Sequence, residues 1–509
     1  MTPNKSQVEI VVNDGSEPSY TNEKHDNVIE VEKSKLDEGA IFLNSHPEYS
    51  GYTEADEKRL KIKLDVILIP ILTIAILVSA ADKIILSNAS LYGMSVDLNL
   101  KNNQYSWAGS IFFFGYLIME PLANFLLQRY RIGKVLGITY TLWSIIMACM
   151  GATHNFAGIA SLRFVMGMGE AFIFPGVNAI IAMFYTKKES PIRLAIVFSA
   201  LSSLLSNGVA VGIGERHTSI APWRLLFIVL GVVSFVLGIS LIAFVPDSPT
   251  KTYLLTEKEK YIAVSRMQHN GTGIKNSHFK KYQLMEALTD WKTWVAALMV
   301  LAIQVPNGAL VTFASQIVSG LGNSKRETLL LGMPTGVFMS VASLLIALGS
   351  YLLRYRYVMI LSGVCMLVPL VCCVLIMKLK DNKHLLVCYY FFYFYWGPYP
   401  LVLSTINNNT SGYTKKTAVN TICFISYCVA NIIAPQFFIS SEEPKYPTGY
   451  RALLAFLVVS VLTSIAYSVG CYLENQKRDR LYGVPTGETD ENDNLDITDH
   501  EKKYFRYVF

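Results

Sequence analysis

Apolar residues in this chain come in long blocks, not in the alternation of a half-buried strand or the single stripe of a surface helix. From Val66 to Ala81 there is no charged residue at all. Blocks of 18 or more such residues are long enough to cross a bilayer as a helix. Twelve of them can be marked out, six at about 66–87, 105–127, 135–152, 157–184, 193–213 and 223–245, and six more at about 291–316, 328–350, 357–377, 385–406, 417–439 and 451–472. The pattern predicts an all-α membrane protein of twelve transmembrane helices in two six-helix halves. It divides the chain into a tail (1–63), a first half (64–245), a polar central loop (246–290), a second half (291–472) and a C-terminal tail (473–509). Pro175-Gly176 and Gly397-Pro398 with Pro400 should interrupt the fourth and tenth spans. Such breaks are tolerated where protein or a water-filled cavity satisfies the freed backbone.

Composition agrees with the pattern. Hydrophobic residues make up 52% of the 509 residues and charged residues 16%, too few to clothe a water-facing surface of this size. All eight cysteines lie in apolar segments without metal-type spacing, so they are expected to act as small hydrophobes, with no metal site, cofactor or disulfide. The first 57 residues carry 13 acids against 4 bases and lack the short apolar core of a cleavable signal. The first span is therefore expected to be the insertion signal.

Charge placement sets the expected orientation. The run KRLKIK (Lys58 to Lys63) precedes the first span, and Arg129, Arg131, Lys134, Lys187, Lys188, Arg193, Arg354, Arg356, Lys415 and Lys416 occupy loops on the same side. Lys325, Arg326, Lys378, Lys380 and Lys383 on the other side weaken the bias. An even number of spans puts both termini in the cytosol. The net charge of +6 hides two acidic ends and a membrane body near +18, which suits anionic lipid headgroups and also an anionic substrate. Nothing resembles a nucleic-acid module. Asn88-Ala89-Ser90 matches a glycosylation sequon, but it lies close to the first span.

Candidate chemistry follows from the insertion cost of a charge at the bilayer centre, about 2.5–3.5 kcal/mol or more. Groups retained there usually face the bundle interior. Asp82 and Lys83 stand side by side in the first span, so their side chains diverge by about a quarter turn and cannot serve one face equally. Glu120 and Asn124, four apart in the second span, share a face. Arg163 and Glu170, seven apart in the fourth, nearly do, with Gly167 between them to keep that face open. A guanidinium inside the bundle suits bidentate recognition of an organic anion; the alternative is a structural ion pair with an acid on a neighbouring span. Asp82, Glu120 and Glu170 are candidates for a transported proton. The second half offers amides and rings: Gln304 and Asn307 near Pro306, Asn431 and Gln436 around Pro435, and Tyr393 and Trp396 from the run YYFFYFYWGPYP.

Several segments then resemble the fungal allantoate permease family, the anion–cation symporter branch of the major facilitator superfamily. They are DKIILSNASLYGM (Asp82–Met94), RFVMGMGEAFIFPG (Arg163–Gly176), PDSPTKTYLLTEKEK (Pro246–Lys260), NTSGYTKKTAVNTICFISYCVANIIAPQFF (Asn409–Phe438), PKYPTGYRALL (Pro444–Leu454) and LDITDHEKKYFRYVF (Leu495–Phe509). Asp82, Arg163, Glu170, Asn409 and Asn431 match motif positions. Two departures stand out. Gln128 occupies the place of the superfamily's acid between the second and third spans, and the fifth span, SNGVAVGIG (Ser206–Gly214), lacks the proline of the antiporter motif. Gly208 and Gly212 are accordingly expected to serve close helix packing, which points away from efflux.

The resemblance implies a plasma-membrane secondary transporter, not an enzyme, that imports a small organic anion or related nutrient with protons. The family's substrates include allantoate, ureidosuccinate, nicotinate, cysteine, sulfonates and vitamins such as thiamine. The rival reading is a nutrient receptor of the same fold that transports weakly or not at all.

Overall fold

The computed structural model describes residues 42–43, 45–186, 189–198, 201–214, 219–268, 280–353, 356–379, 381–483 and 497–509. Expectations for residues 1–41, 269–279 and 484–496, for Lys187, Lys188, Arg354 and Lys380, and for the Gln128 side chain lie outside them. Twelve helical units run back and forth: α1 (Glu54–Leu91), α2 (Gln104–Arg129), α3 (Ile132–Met150), α4 (Phe156–Glu170 and Ile173–Phe184), α5 (Ser190–Val197 and Ser202–Gly214) and α6 (Pro222–Phe244) form one half. The other is α7 (Trp291–Ser319), α8 (Lys325–Gly332 and Thr335–Leu352), α9 (Val358–Lys378), α10 (Asn382–Phe392, the tight turn Tyr393–Trp396, and Pro398–Asn408), α11 (Tyr413–Ile433 with the turn Ala434–Phe437) and α12 (Pro447–Tyr482). Among the described residues, ten of these are long and apolar enough to cross a membrane; the other two are α10, interrupted by its tight turn, and α5, whose residues 199–200 lie outside the description.

The halves repeat one packing plan. In the first, α3 packs on α6, α2 on α4 and α1 on α5; in the second, α9 packs on α12, α8 on α10 and α7 on α11. Glycines, by lacking side chains, let backbones meet where the plan is tightest. A Cβ on Gly167 of α4 would strike the Phe112 carbonyl of α2, and one on Gly115 of α2 would strike that of Phe164. Gly167 therefore closes the α2–α4 contact instead of keeping a face open. Gly208 and Gly212 also depart from expectation. A Cβ on Gly208 would only graze Met333, and one on Gly212 would meet nothing within 4 Å.

Boundaries moved where caps act. α1 starts at Glu54, well before 64, because Thr53 and Asp56 form a reciprocal capping box there. The run KRLKIK is thus helix, anchored by Lys61 to Glu189 (2.6 Å) and Lys63 to Glu259 (2.7 Å). α12 continues past 472 to Tyr482. α4 breaks at Ala171-Phe172, just upstream of Pro175, whose missing N–H leaves the carbonyl one turn back unpaired. The end of the bundle carrying Lys58–Lys63 is its basic face, and the opposite end its far face.

Residues 497–509 return to the basic-face end of the second half. Asp499, fully buried, meets Lys415 at 2.7 Å and Lys292 at 3.4 Å, and accepts a hydrogen bond from the Tyr507 hydroxyl at 2.7 Å. Arg478 donates to the carbonyls of Asp499, Lys502 and Phe505. Asn409 pairs with the Val508 backbone in both directions, each at 2.7 Å. Burial alone would raise the Asp499 carboxyl, but Lys415 and Lys292 hold it below the usual carboxylate range. Asp290 is likewise lowered against its burial by the His500 hydrogen bond, Lys292 and Lys415. Depressed carboxylates stabilise above their ordinary value, so this clasp is in force at neutral pH and loosens as pH falls below about 4. Asp499→Ala is expected to cost roughly 3 kcal/mol, the lower end for a broken buried pair because Lys415 keeps Glu286 and Asp290. Thermal unfolding of the purified variant checks this; an unchanged Tm would count against the clasp.

Candidate functional site

A cavity of about 1140 Å³, counting its open mouth, lies between the two halves. α1, α4, α5, α7, α8, α10 and α11 all contribute to its wall. Among the described residues, Lys83 is the charged residue of that wall; the remainder is apolar, hydroxyl or amide. Of the sequence candidates, Lys83, Asn307, Tyr393 and Trp396 line it. Tyr393 and Trp396 do so together because residues 393–396 form a 3₁₀ turn, in which side chains three apart eclipse. Pro398 prevents the α-helix from continuing through that turn.

Behind the wall sits a cluster of four charges. Adjacent on α1, Asp82 and Lys83 part as the helix geometry requires: Asp82 turns into the first half, and Lys83 reaches the cavity. Asp82 Oδ2 lies 3.5 Å from Arg163 Nη1, and Lys83 Nζ donates to Glu170 Oε1 at 2.6 Å. Ser79 Oγ donates to that same oxygen at 3.0 Å. Arg163 Nε donates to the Ala108 carbonyl at 3.3 Å, and its guanidinium rests 4.8 Å above the Phe112 ring. Lys83 lies 5.5 Å from the Phe174 ring centroid and 5.9 Å from that of Phe112. Asp82, Arg163 and Glu170 are at most 2% exposed. Both Asp82 oxygens, Arg163 Nη1 and Glu170 Oε2 have no hydrogen-bond partner among the described residues. So the Arg163–Asp82 contact is the neighbouring-span ion pair foreseen as the alternative, and Arg163 does not face the cavity. An arrangement of this kind sums to zero charge and exposes one cation that a second acid already occupies.

The other candidates fall elsewhere. Asn124 donates to Glu120 at 3.2 Å, the predicted shared face, but Asn124 lines a separate hollow with Tyr130, Pro175 and Asp247. Asn431 stands behind the wall, where Asn307 Nδ2 donates to its Oδ1 at 2.9 Å and Tyr395 donates to Asn307 Oδ1 at 3.1 Å. Gln304 is fully buried with neither amide atom paired among the described residues, and it is not on the wall. Asn409 belongs to the C-terminal clasp: its amide supplies the donor–acceptor pair that Val508 needs. Asp290, Asp499 and His500 converge closely enough to suggest a metal site, but Lys292 and Lys415 already neutralise that set.

Sequence reasoning missed the seam between the halves at the far face. Asn88 donates to Ser206 and Asn207 and accepts from Ser315 at 2.7 Å; the Ser315 amide donates to Ser87, and Gln316 to Ser90. Tyr105 donates to the Thr312 carbonyl, and Gln436 to Ser110, which in turn donates to the Ile432 carbonyl. Asn88 is fully buried, so the sequon is a packing residue and not a glycan acceptor.

A family model described as Major Facilitator Superfamily matches residues 71–435. Allantoate permease of Saccharomyces cerevisiae is 33% identical over 494 residues, covering 93% of this chain and 90% of that protein. A thiamine pathway transporter of the same yeast is 30% identical over 484 residues, 94% of this chain and 91% of the relative. Among solved structures, a bacterial homolog of the human lysosomal transporter Spinster, inward-facing and unoccupied, is similar with a TM-score of 0.60. It is 15% identical and covers 79% of this chain and 96% of its own.

Proposed function

The chain belongs to the major facilitator superfamily, and from that premise we propose that it imports a small organic anion together with a proton. That it is a membrane-embedded secondary transporter and not an enzyme follows from the family and its relatives. The anion and the proton rest on one observation: the cation on the cavity wall is engaged by a buried carboxylate on α4.

Lys83 cannot serve Glu170 and a substrate anion fully at once. A proton on Glu170 removes its hold, and the ammonium then takes the incoming anion in a charge-assisted contact. Asp82 and Arg163 stay paired throughout and keep α1 and α4 in register. The empty cluster is neutral, and one proton plus one monoanion leaves it neutral. A neutral state is the one that can cross between access states without moving charge through a low-dielectric core. With the basic face cytosolic, as its lysines favour, the seam of Asn88, Ser315 and Tyr105 is the outer gate, and rocking of the halves about the cavity exchanges access. The plasma membrane is the proposed location. Allantoate permease, named for an organic anion, supports the substrate class.

This reading predicts electroneutral symport. In proteoliposomes, an imposed gradient of one pH unit should concentrate the anion about tenfold, the ratio that ~1.4 kcal/mol sustains. A protonophore should abolish this, and a potassium–valinomycin voltage should leave the accumulation ratio unmoved. Uptake indifferent to the pH gradient would sink the proposal; a ratio that follows voltage would refute its stoichiometry.

A further inference from the structure

We infer that Asn207 of α5 is a second contact for the substrate and that it ties occupancy of the cavity to the outer gate; this rests on the transport reading above. Beyond Lys83, the wall carries hydroxyl and amide groups on α5, α7 and α8. Most of them are committed. The Ser203 hydroxyl donates to the Met333 carbonyl at 3.1 Å and accepts from the Gly336 amide at 3.0 Å, so it fills the break in α8 from the opposite half. Thr335 donates to the Gly332 carbonyl, Ser315 donates to Asn88, and the Thr328 hydroxyl is sealed from the opening.

Asn207 differs. It is only 4% exposed, yet one end of its amide is open. Oδ1 accepts from Asn88 Nδ2 at 2.9 Å, while Nδ2 makes no hydrogen bond among the described residues and is not sealed from the cavity that Asn207 lines. Gly332 of α8 leaves room for that end: a Cβ there would lie 2.6 Å from Nδ2. The donors run in one direction. Ser315 Oγ of the second half donates to Asn88 Oδ1, and Asn88 Nδ2 donates to Asn207 Oδ1, which leaves Asn207 Nδ2 as the free end of the chain. In such a chain each bond polarises the next. An acceptor oxygen of the substrate on Nδ2 therefore completes it and strengthens the Ser315–Asn88 contact that closes the far face. Asn88 is the positioning residue, because its N–H fixes which end of the Asn207 amide is open. Lys83 lies five residues before Asn88 on α1, about 7.5 Å along the axis. One small molecule can thus hold its anionic group on Lys83 and an acceptor oxygen on Asn207. By reciprocity, gate closure raises the affinity for such a molecule as much as its binding favours closure.

The test compares 4-oxopentanoate with pentanoate, which lacks the acceptor carbonyl, on the purified full chain at pH 5. Ligand-induced stabilisation reads affinity, and hydrogen exchange over 84–92 and 312–319 reads the gate. 4-Oxopentanoate should bind roughly fivefold more tightly, the worth of one neutral hydrogen bond, and at saturation it alone should slow exchange in both stretches. Asn207→Leu should bring the two acids level. Gly332→Ala, which crowds Nδ2 without removing a bond of the gate, should do the same. Ser315→Ala should keep most of the preference and lose the exchange difference. Asn88→Leu should weaken the preference as well, a change in discrimination that a merely structural residue would not produce. Lys83→Met should remove binding of both acids. Equal, Lys83-dependent binding of the two acids by the unaltered protein would overturn the Asn207 contact and leave the transport reading intact. A preference with no exchange difference would overturn the coupling to the gate. Binding that ignores Lys83, or no binding of either acid, would overturn both this inference and that reading.

Discussion

Lys83→Met is expected to reduce uptake of the anion by about a hundredfold at low substrate concentration, the equivalent of ~2.7 kcal/mol for a lost charge-assisted contact. The loss should appear in apparent affinity first, because Lys83 is the charge on the cavity wall. Lys83→Arg should recover part of it, since a guanidinium can reach the same anion with different geometry. Folding should be affected less, since the variant's Glu170 keeps the Ser79 hydrogen bond and can take up a proton. Radiolabelled uptake beside a thermal unfolding curve separates the two effects. Uptake that survives the methionine unchanged would remove Lys83 from the substrate site.

Arg163→Met should do the opposite: it should damage the fold before the transport chemistry. Asp82 is fully buried, and Arg163 is the partner that compensates it on the neighbouring helix. Stranding that carboxylate should cost about 3–5 kcal/mol, a large part of the stability of any domain. The yield of monodisperse protein and its Tm should both fall. Adding Asp82→Asn should restore most of the loss, because the buried charge leaves with its partner. Should the double variant prove no more stable than Arg163→Met alone, the pair is not what holds α1 against α4.

Much of this architecture could be read from the chain, for reasons that differ by region. The spans were legible because apolar length is a direct consequence of bilayer thickness. The breaks in α4 and α10 were legible because proline lacks a donor wherever it stands. That Asp82 and Lys83 diverge followed from helix geometry, but which of them faces the cavity did not. A helix apolar all round has no stripe to set its rotation, so packing on α5, α6 and α7 decided it. The far-face seam was hidden for a different reason. Asn88, Ser315 and Tyr105 are ordinary helix residues until the second half lies against them, and the Asn88 sequon pointed outward when its side chain turns in. Lys415 and Asn409 misled similarly. One looked like a loop cation and the other like a pathway amide, because their partner, the segment 497–509, lies about 90 residues away in sequence.

The central claim is that Glu170 exchanges a proton for the substrate's hold on Lys83, and Glu170→Gln tests it most directly. Two assays on the same proteoliposomes are compared, counterflow of labelled anion and accumulation driven by a pH gradient. A glutamine cannot lose a proton, so the variant should remain in the loaded form that binds anion on Lys83. Counterflow should therefore persist near the wild-type rate while proton-driven accumulation disappears. If Glu170→Gln still accumulates the anion against its gradient when protons are the driving force, the proton travels by another residue and the claim is wrong.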